Sequence, residues 1–294
     1  VIGAYWDKDE HRPMEGRLER ITLWNRALDA QEISTLFKER KRDFPEIEPI
    51  VGPVSTKDWP TFLHDNERSG QASATIQGEL SLRWTHRLRL PPKPAWPPPA
   101  KQDFWHKKYN LKPRVIYDRA FHVIGAGERL YLTSSADDQV RCLSLKTGKS
   151  LWNQFADGPI RLTPTLVGDR LLVGSDDGQV RCLQAGDGKL LWATRPPELG
   201  SRWIPGNGRV IHERPIRTGI LADKQTGYFG AGLFPMQGTF LFSIDLRDGR
   251  ILDQQKLSIS PQGYLSRRNG KLFAPTGRNP AGAFLSRLSR RGKP

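Results

Sequence analysis

Apolar and polar positions along the chain repeat at an interval of 40 residues. Residues 140–152 contain an alternating stretch, a Gly-Lys turn and a terminal Leu-Trp pair, and residues 180–192 repeat all three in the same order. Apolar and polar residues alternate within each copy, as they do in a strand with one buried face, and Gly and Asp mark the turns between stretches. The pattern predicts four short antiparallel strands and three turns in each copy.

Weaker copies flank these two. Residues 159–163 recur as residues 215–218, and further strand patterns begin at residues 260 and 270. A repeat of about 40 residues that holds several short strands is typical of a β-propeller blade, and a blade needs neighbours to bury its two faces. We therefore predict an all-β fold: a partial β-propeller of about four blades, each a four-stranded antiparallel sheet, with an incomplete ring. Residues 80–88 are predicted to be the outer strand of a ring-closing blade.

Two segments resemble the pyrroloquinoline quinone (PQQ)-like propeller repeat, in which a Thr-Gly-Lys type of turn leads to a terminal Trp. They are residues 147–152 and 186–192, and residues 58–62 (Asp-Trp-Pro-Thr-Phe) are similar to the start of many bacterial propellers of this kind. The resemblance covers residues 57–285 and implies the propeller fold. The same repeat serves quinoprotein dehydrogenases and non-enzymatic scaffolds such as the outer-membrane assembly lipoprotein. It implies a periplasmic or extracellular location and leaves the activity open.

The beginning of the chain is predicted to belong to another domain. Residues 16–28 resemble the last strand of a laminin-G or concanavalin-A-like jelly roll. A helix is predicted to follow, because Asp29 and Glu32 have the spacing of a capping box, and Leu28 and Ile33 have the spacing of a hydrophobic staple. The N-terminal part is thus expected to be a short strand-plus-helix remnant of a jelly roll.

Three regions follow from these patterns. Residues 1–42 are predicted to be the end of the jelly roll, residues 43–57 a proline-containing linker without periodicity, and residues 58–294 the propeller. By these patterns the sequence is expected to open inside one domain and to close inside a blade. We therefore expect a fragment of a larger bacterial multidomain protein.

Composition and charge limit the possible partners. With 28 Gly and 23 Pro the chain fits turn-rich β structure, and no apolar run is long enough to predict a membrane span. The net charge of +15 is concentrated in residues 83–114, with nine Lys/Arg and one acid, and in residues 254–294, with nine Lys/Arg and no acid. We interpret both as solvated basic segments and expect no nucleic-acid partner, although Trp96, Trp105 and Tyr109 give the first segment a candidate aromatic surface for a glycan.

Cys142 and Cys182 occupy one position in successive copies. Equivalent strands of adjacent blades pack about 10 Å apart, beyond the roughly 7 Å Cα separation that a disulfide allows. Both cysteines are therefore predicted to be small buried side chains. Trp152 and Trp192 also occupy matching positions and are predicted to pack between blades.

The acid pairs at residues 137–138 and 176–177 have two possible roles. Paired carboxylates suggest calcium, but a cage of six or more oxygen ligands is not visible in the sequence. Both pairs lie where the repeat predicts hairpin turns, and Asp is common in turns because it tolerates their backbone angles. The pairs are predicted to serve the turns.

One set of polar residues is predicted to line the central channel. Aligning the copies places Arg161, Arg217 and Gln262 at one position of the innermost strand, with Arg119 or His122 near the equivalent place in the preceding blade. Two arginines and an amide together form a candidate anion site, because charge-assisted hydrogen bonds hold carboxylates and phosphates. The alternative is that each arginine pairs with a neighbouring acid or carbonyl group as part of the structure.

No nucleophile motif, metal-spaced histidine pair or phosphate loop occurs in the sequence. A PQQ dehydrogenase also needs an Asp base and a calcium site, and neither can be matched, so no cofactor is expected. The leading interpretation is a non-catalytic propeller scaffold in a multidomain protein, with a protein or glycan partner that the sequence does not name. The alternatives are a quinoprotein oxidoreductase whose catalytic blades lie outside this chain, and a glycan-binding module.

Overall fold

The computed structural model describes residues 4–6, 11–13, 28–32, 34–35, 57–73, 75–76, 78–95, 108–109, 120–206, 208–275 and 283–285. The chain forms two compact units, residues 1–47 and residues 48–294, and the regular structure is almost entirely β. Within the described residues, no helix has the length and apolar character that a membrane span requires.

The described residues of the first unit form a short hairpin and a capped helical turn. Strands β1 (Ala4–Trp6) and β2 (His11–Pro13) pair antiparallel. The predicted capping box is confirmed, because the Glu32 amide donates to Asp29 Oδ1 at 2.7 Å and the Asp29 amide donates to Glu32 Oε2 at 3.0 Å. Most of the strand predicted at residues 16–28, and Ile33 of the predicted staple, lie outside the described residues, so the jelly-roll resemblance stays a prediction.

The second unit begins with two complete four-stranded antiparallel sheets. Blade A consists of β3 (Val123–Ala126), β4 (Arg129–Thr133), β5 (Gln139–Ser144) and β6 (Ser150–Phe155). Blade B consists of β7 (Thr165–Val167), β8 (Arg170–Gly174), β9 (Val180–Gln184) and β10 (Leu190–Thr194). The two copies of the sequence repeat are thus two blades, as predicted.

An insertion separates blade B from blade C. It holds a short 3-10 helix (Pro197–Leu199) and a hairpin of β11 (Trp203–Gly206) and β12 (Arg209–His212). After β13 (Thr218–Gly219), blade C consists of β14 (Leu221–Asp223), β15 (Thr226–Ala231), β16 (Thr239–Asp245) and β17 (Ile251–Leu257), with a 3-10 helix at Pro235–Gln237. The inserted hairpin of β11 and β12 and the two short 3-10 helices were not predicted from the sequence.

Blade D is described as a three-stranded sheet. Strand β18 (Gly263–Tyr264) pairs in parallel with β13, and blade D itself consists of β19 (Ser266–Arg268), β20 (Lys271–Pro275) and β21 (Ala283–Leu285). The predicted fold class is therefore confirmed: the unit is a partial propeller with three complete blades and a fourth of three described strands.

Each pair of consecutive blades shares a hydrophobic cluster. The clusters include Ile124 with Leu171 between A and B, Leu172 with Phe229 between B and C, and Leu241 with Leu272 between C and D. Cys142 and Cys182 are free, lie in the first two clusters and are fully buried, as predicted. Burial raises the pKa of the Cys142 thiol to about 11 and that of Cys182 to about 12, so both act as small apolar side chains.

A tryptophan on the outer strand of one blade fastens it to the next blade. Trp152 Nε1 donates to the carbonyl of Ala185 at 3.1 Å, and Trp192 Nε1 donates to the carbonyl of Leu246 at 3.1 Å. Each ring also covers the turn glycine of the next blade, and a Cβ on Gly188 would lie 2.6 Å from the Trp152 ring. The predicted packing of both tryptophans between blades is confirmed.

Trp84 makes the same contact on blade A. Its Nε1 donates to the carbonyl of Leu145 at 2.9 Å, and its ring covers Gly148. Residues 80–88 thus have the place of an outer strand in the blade that precedes A. No described residue pairs with them in a sheet, so the strand predicted at residues 80–88 stays a prediction.

The segment at residues 59–66, here called the axial segment, connects the inner edges of all four blades. It makes a hydrogen bond to the first strand of each: Gly125 of A to Trp59, Leu166 of B to Pro60, Ala222 of C to Asn66, and Arg267 of D to Asn66. The axial segment therefore fills the region where the first strands of the blades meet.

Candidate functional site

Two of the predicted channel arginines meet at one buried aspartate. Asp176 lies in the turn between β8 and β9 and its side chain is fully buried. Arg161, which precedes β7, places Nε 2.7 Å from Asp176 Oδ2. Arg217, which precedes β13, places Nε 3.0 Å from Oδ1 and Nη2 3.1 Å from Oδ2. Because Arg161 belongs to blade B and Arg217 leads into blade C, Asp176 connects two blades.

Backbone contacts strengthen this connection. The Asp176 amide donates to the carbonyl of Pro159 at 2.9 Å, and the Asp176 carbonyl accepts from the His212 amide at 2.8 Å. Arg161 Nη1 also donates to the carbonyl of Lys93 at 2.6 Å. The turn that carries Asp176 is therefore fixed by its main chain as well as by its carboxylate.

A second ion pair repeats in blades A and B. Asp177 is fully buried and its Oδ2 lies 2.5 Å from Arg181 Nη2, and Asp137 pairs with Arg141 at the equivalent place. Burial opposes ionisation of Asp137, but hydrogen bonds from Arg141 and Ser134 outweigh it and lower its pKa. Both acids thus serve the turn before the third strand of their blade.

Asp138 has a different environment from its neighbour. Its backbone adopts the left-handed conformation with φ of 60°, at the position where blade B has Gly178 with φ of 80°. It pairs with Arg209 from β12, which fastens the tip of the inserted hairpin to blade A. Burial raises the pKa of Asp138; the Arg209 guanidinium opposes this and the Asp176 carboxylate adds to it.

The acid pairs therefore act in turns, as the sequence predicts. Asp177 Oδ1 accepts from the Gln179 amide at 2.8 Å, the pattern of a turn stabilised by its own aspartate. Among the described residues, no group of three or more His, Cys, Asp or Glu side chains converges as metal ligands do.

The structure favours the structural interpretation of Arg161 and Arg217 over the anion site. Both oxygens of Asp176 lie within 3.1 Å of guanidinium nitrogens, so the fork geometry that anion recognition needs is already engaged by a carboxylate. Gln262 is 3% exposed, and its backbone N–H donates to the carbonyl of Pro275 at 3.2 Å. Arg119 lies outside the described residues.

His122 belongs to an aromatic group at the axis. Its ring meets the edge of Phe62 with ring centroids 5.2 Å apart, and the Phe62 ring stacks on Tyr264 at 3.6 Å. The Tyr264 hydroxyl accepts from the Thr163 amide at 3.0 Å, and burial raises its pKa to about 12. His122 therefore lies near the axis, where its ring packs against other aromatic rings.

Arg68 is a further, partly buried charge that was not predicted from the sequence. It donates through Nε to the carbonyl of Leu265 at 2.8 Å and through Nη1 to the carbonyl of Phe62 at 2.8 Å, and its guanidinium lies 5.9 Å from the centre of the Tyr264 ring. Burial lowers its pKa to about 10. Arg68 thereby joins the axial segment to blade D. In the sequence it lies six residues after the opening motif at residues 58–62.

The candidate aromatic surface is described only in part. Tyr109 is 57% exposed, and the ammonium group of Lys108 lies 5.4 Å from the centre of its ring. Trp96 and Trp105 lie outside the described residues. Glycan binding by this surface stays a prediction.

Several known proteins are similar to this chain. The family model described as outer membrane protein assembly factor BamB matches residues 98–277. Among solved structures, BamB from Moraxella catarrhalis is 17% identical with a TM-score of 0.42, over 55% of this chain and 47% of that chain. The quinohemoprotein alcohol dehydrogenase from Comamonas testosteroni is 13% identical with a TM-score of 0.49, over 79% of this chain and 37% of that chain.

A designed protein, Ika4, is also similar, with 13% identity and a TM-score of 0.40 over 55% of this chain and 86% of that chain. No curated protein sequence matches the chain. The chain spans about half the length of the Moraxella catarrhalis structure it matches.

Proposed function

Because the chain belongs to the family of the outer membrane protein assembly factor BamB, we propose that it is a non-catalytic propeller scaffold that binds a protein partner. In this proposal the blades present binding surfaces and perform no chemistry. By analogy with the name of the family, the scaffold acts in the periplasm or outside the cell. The alternative to test is oxidation by a bound quinone, which quinoprotein dehydrogenases with the same type of repeat carry out.

The main support for the proposal is that the chain's own side chains occupy the region where the first strands of the blades meet. Phe62 and Tyr264 stack at 3.6 Å where the first strands of the blades meet, and the buried carboxylate of Asp176 lies between Arg161 and Arg217. A planar quinone needs an open site, and a general base needs a carboxylate that can reach the substrate. At the axis, Phe62 and Tyr264 occupy the space of a planar ring and the Asp176 carboxylate is engaged by two arginines, and both observations support a scaffold over an oxidoreductase.

The test is a titration of the 294-residue chain with PQQ, with and without calcium, followed by the absorbance of the quinone. We expect no saturable change at micromolar protein, because the axis is filled by the chain's own side chains. A quinoprotein dehydrogenase treated in the same way is the positive control. A saturable change with a stoichiometry near one would replace the scaffold proposal by the oxidoreductase.

A further inference from the structure

The histidine at the end of β12 is buried, and both of its ring nitrogens are engaged. His212 is fully buried. The backbone N–H of Arg214 donates to His212 Nδ1 at 3.0 Å, so Nδ1 carries no proton. The proton is therefore on Nε2, which donates to the carbonyl of Gly200 at 3.1 Å. Together the two contacts require the neutral ring in one tautomer.

His212 is also the point at which the inserted hairpin rests on blade B. Its ring lies against Gly178 in the turn between β8 and β9, where a Cβ would lie 2.9 Å from His212 Cγ. Its backbone N–H donates to the carbonyl of Asp176 at 2.8 Å. The ring also meets Trp203, its partner on β11, edge to face with ring centroids 6.0 Å apart. Both strands of the hairpin and the turn of blade B thus meet at one imidazole.

Two guanidinium groups act on this imidazole. Arg195 directly follows β10, and its guanidinium lies 5.8 Å from the centre of the tryptophan ring on β11. Arg214 follows β12, and Glu213, the acid beside it, pairs with Arg202 and with Arg214 itself. Burial lowers the pKa of His212, and the charges of Arg195 and Arg214 lower it further, while its two backbone hydrogen bonds oppose the shift.

The acids in the turn beneath the ring are directed at other partners. Asp176 is held between Arg161 and Arg217, and Asp177 pairs with Arg181. What the turn presents to the histidine is its main chain, namely the Asp176 carbonyl and the turn glycine. A positive charge on the ring is therefore opposed by burial and by two guanidinium groups.

The tip of the hairpin is held by a second contact that depends on protonation. Arg209 pairs with Asp138 of blade A, and its Nη1 donates to the carbonyl of Ala136 at 3.3 Å. Ile211, between the two contacts, is 3% exposed. The hairpin thus lies across the turns of blades A and B, fastened by Arg209 at one end and by His212 at the other.

Protonation of His212 breaks its contact with Arg214. A second proton on Nδ1 points at the backbone N–H of Arg214, so that two donors face each other. The new charge is buried and lies near Arg195 and Arg214, which opposes it further. When the hairpin is away from blade B, His212 is in water and takes up a proton at its ordinary pKa of 6.5. Acid therefore favours the open hairpin over the closed one.

We propose that the hairpin of β11 and β12 is an acid-released strap: neutral His212 holds it on blade B, and protonation of His212 releases it from the turns of blades A and B. Protonation of Asp138 removes the charge that pairs with Arg209 and weakens the tip contact in the same direction. Release uncovers the turns that carry Asp138 and Asp176. This regulation goes beyond the scaffold function and does not depend on it.

The test is amide hydrogen exchange of the full chain between about pH 5 and pH 8, corrected for the intrinsic rate at each pH. We expect opening of the strap, measured at the amides of His212 and Glu213, to increase below pH 6.5 by up to tenfold per pH unit, because one proton is taken up on opening. The amides of β8 and β16 should keep their protection over the same range.

Two variants assign the effect. His212→Gln removes the titrating group, so its strap should lose this dependence on pH. The matched control is His86→Gln, which removes another histidine with a ring nitrogen 3.1 Å from a carbonyl oxygen, that of Gly148. We expect His86→Gln to keep the pH response of the parent chain.

Histidine NMR signals of the parent chain decide the matter if His212→Gln does not fold. We expect the His212 ring to keep its neutral, Nε2-protonated form below pH 6.5. Strap protection that does not change with pH would overturn the proposal. So would equal loss of protection in the strap and in the blades, which would mean that acid unfolds the propeller as a whole. A pH response that His212→Gln keeps, or that His86→Gln removes, would assign it to another group.

Discussion

At the scale of single residues, a glycine sets how closely one blade approaches the next. Gly188 has a φ of 77°, and its missing side chain leaves room for the ring of Trp152. The indole N–H of that ring donates to Ala185 in the same turn. A left-handed backbone and a close aromatic contact thus coincide at one residue, and the sequence shows this only as a repeated Gly-Lys dipeptide.

Gly188→Ala is therefore expected to lower the free energy of unfolding by about 2–4 kcal/mol, because it combines an unfavourable backbone conformation with overpacking against Trp152. Gly186→Ala is the matched control. A Cβ there meets nothing within 4 Å and the residue has no positive φ, so its effect should stay within about 0.5 kcal/mol. Urea unfolding midpoints of the two variants check this. Equal midpoints would show that the turn is not packed under the tryptophan.

Adjacent aspartates of blade A should respond to pH in opposite ways. The pKa of Asp137 is lowered from its usual 3.8, so its stabilisation is present above that value and is lost as pH falls through the lower folded-state pKa. The pKa of Asp138 is raised, so its ionisation costs stability as pH rises through the higher folded-state pKa.

The measurement is urea unfolding of Asp137→Asn and Asp138→Asn between about pH 3 and pH 6. The deficit of Asp137→Asn relative to the parent chain should shrink as pH falls. Asp138→Asn should gain stability relative to the parent chain as pH rises, and Asn tolerates the left-handed backbone there. Parallel pH profiles for the two variants would contradict these assignments.

At the scale of elements, the sequence predicts the blades well where the repeat is regular. The alternation around Cys142 and Cys182, the turn glycines and the terminal tryptophans were enough to place blades A and B, because each of these residues has one clear structural role. Blade C was harder to recognise, since Asp253 takes the place of the tryptophan and Ser243 that of the cysteine.

The inserted hairpin of β11 and β12 could not be predicted for a physical reason. It is outside the repeat, and it is fastened by long-range contacts: Arg209 with Asp138 in blade A, and His212 with Asp176 in blade B. Neither contact has a local sequence pattern. The same limit applies to the candidate site, where alignment brought Arg161 and Arg217 together but could not show that Asp176 lies between them.

At the scale of the whole molecule, two sets of contacts join the blades, one at the outer strands and one at the first strands. On the outside, each outer-strand tryptophan contacts the turn of the next blade. On the inside, the axial segment and the Asp176 ion pairs connect the first strands. Buried ion pairs add little net stability compared with apolar packing, but removing one partner leaves the others buried and uncompensated. We therefore infer that the Asp176 carboxylate is a structural connection between blades B and C.

The most direct test of this claim is hydrogen exchange of Asp176→Asn, with Asp187→Asn in an exposed turn of the same blade as the control. We expect Asp176→Asn to lose about 3–5 kcal/mol of stability, since Arg161 and Arg217 are left without their carboxylate. Amide exchange should rise in β7, β8, β13 and β18 together, while Asp187→Asn exchanges like the parent chain. Unchanged stability in Asp176→Asn, with exchange altered only in its own turn, would contradict the account.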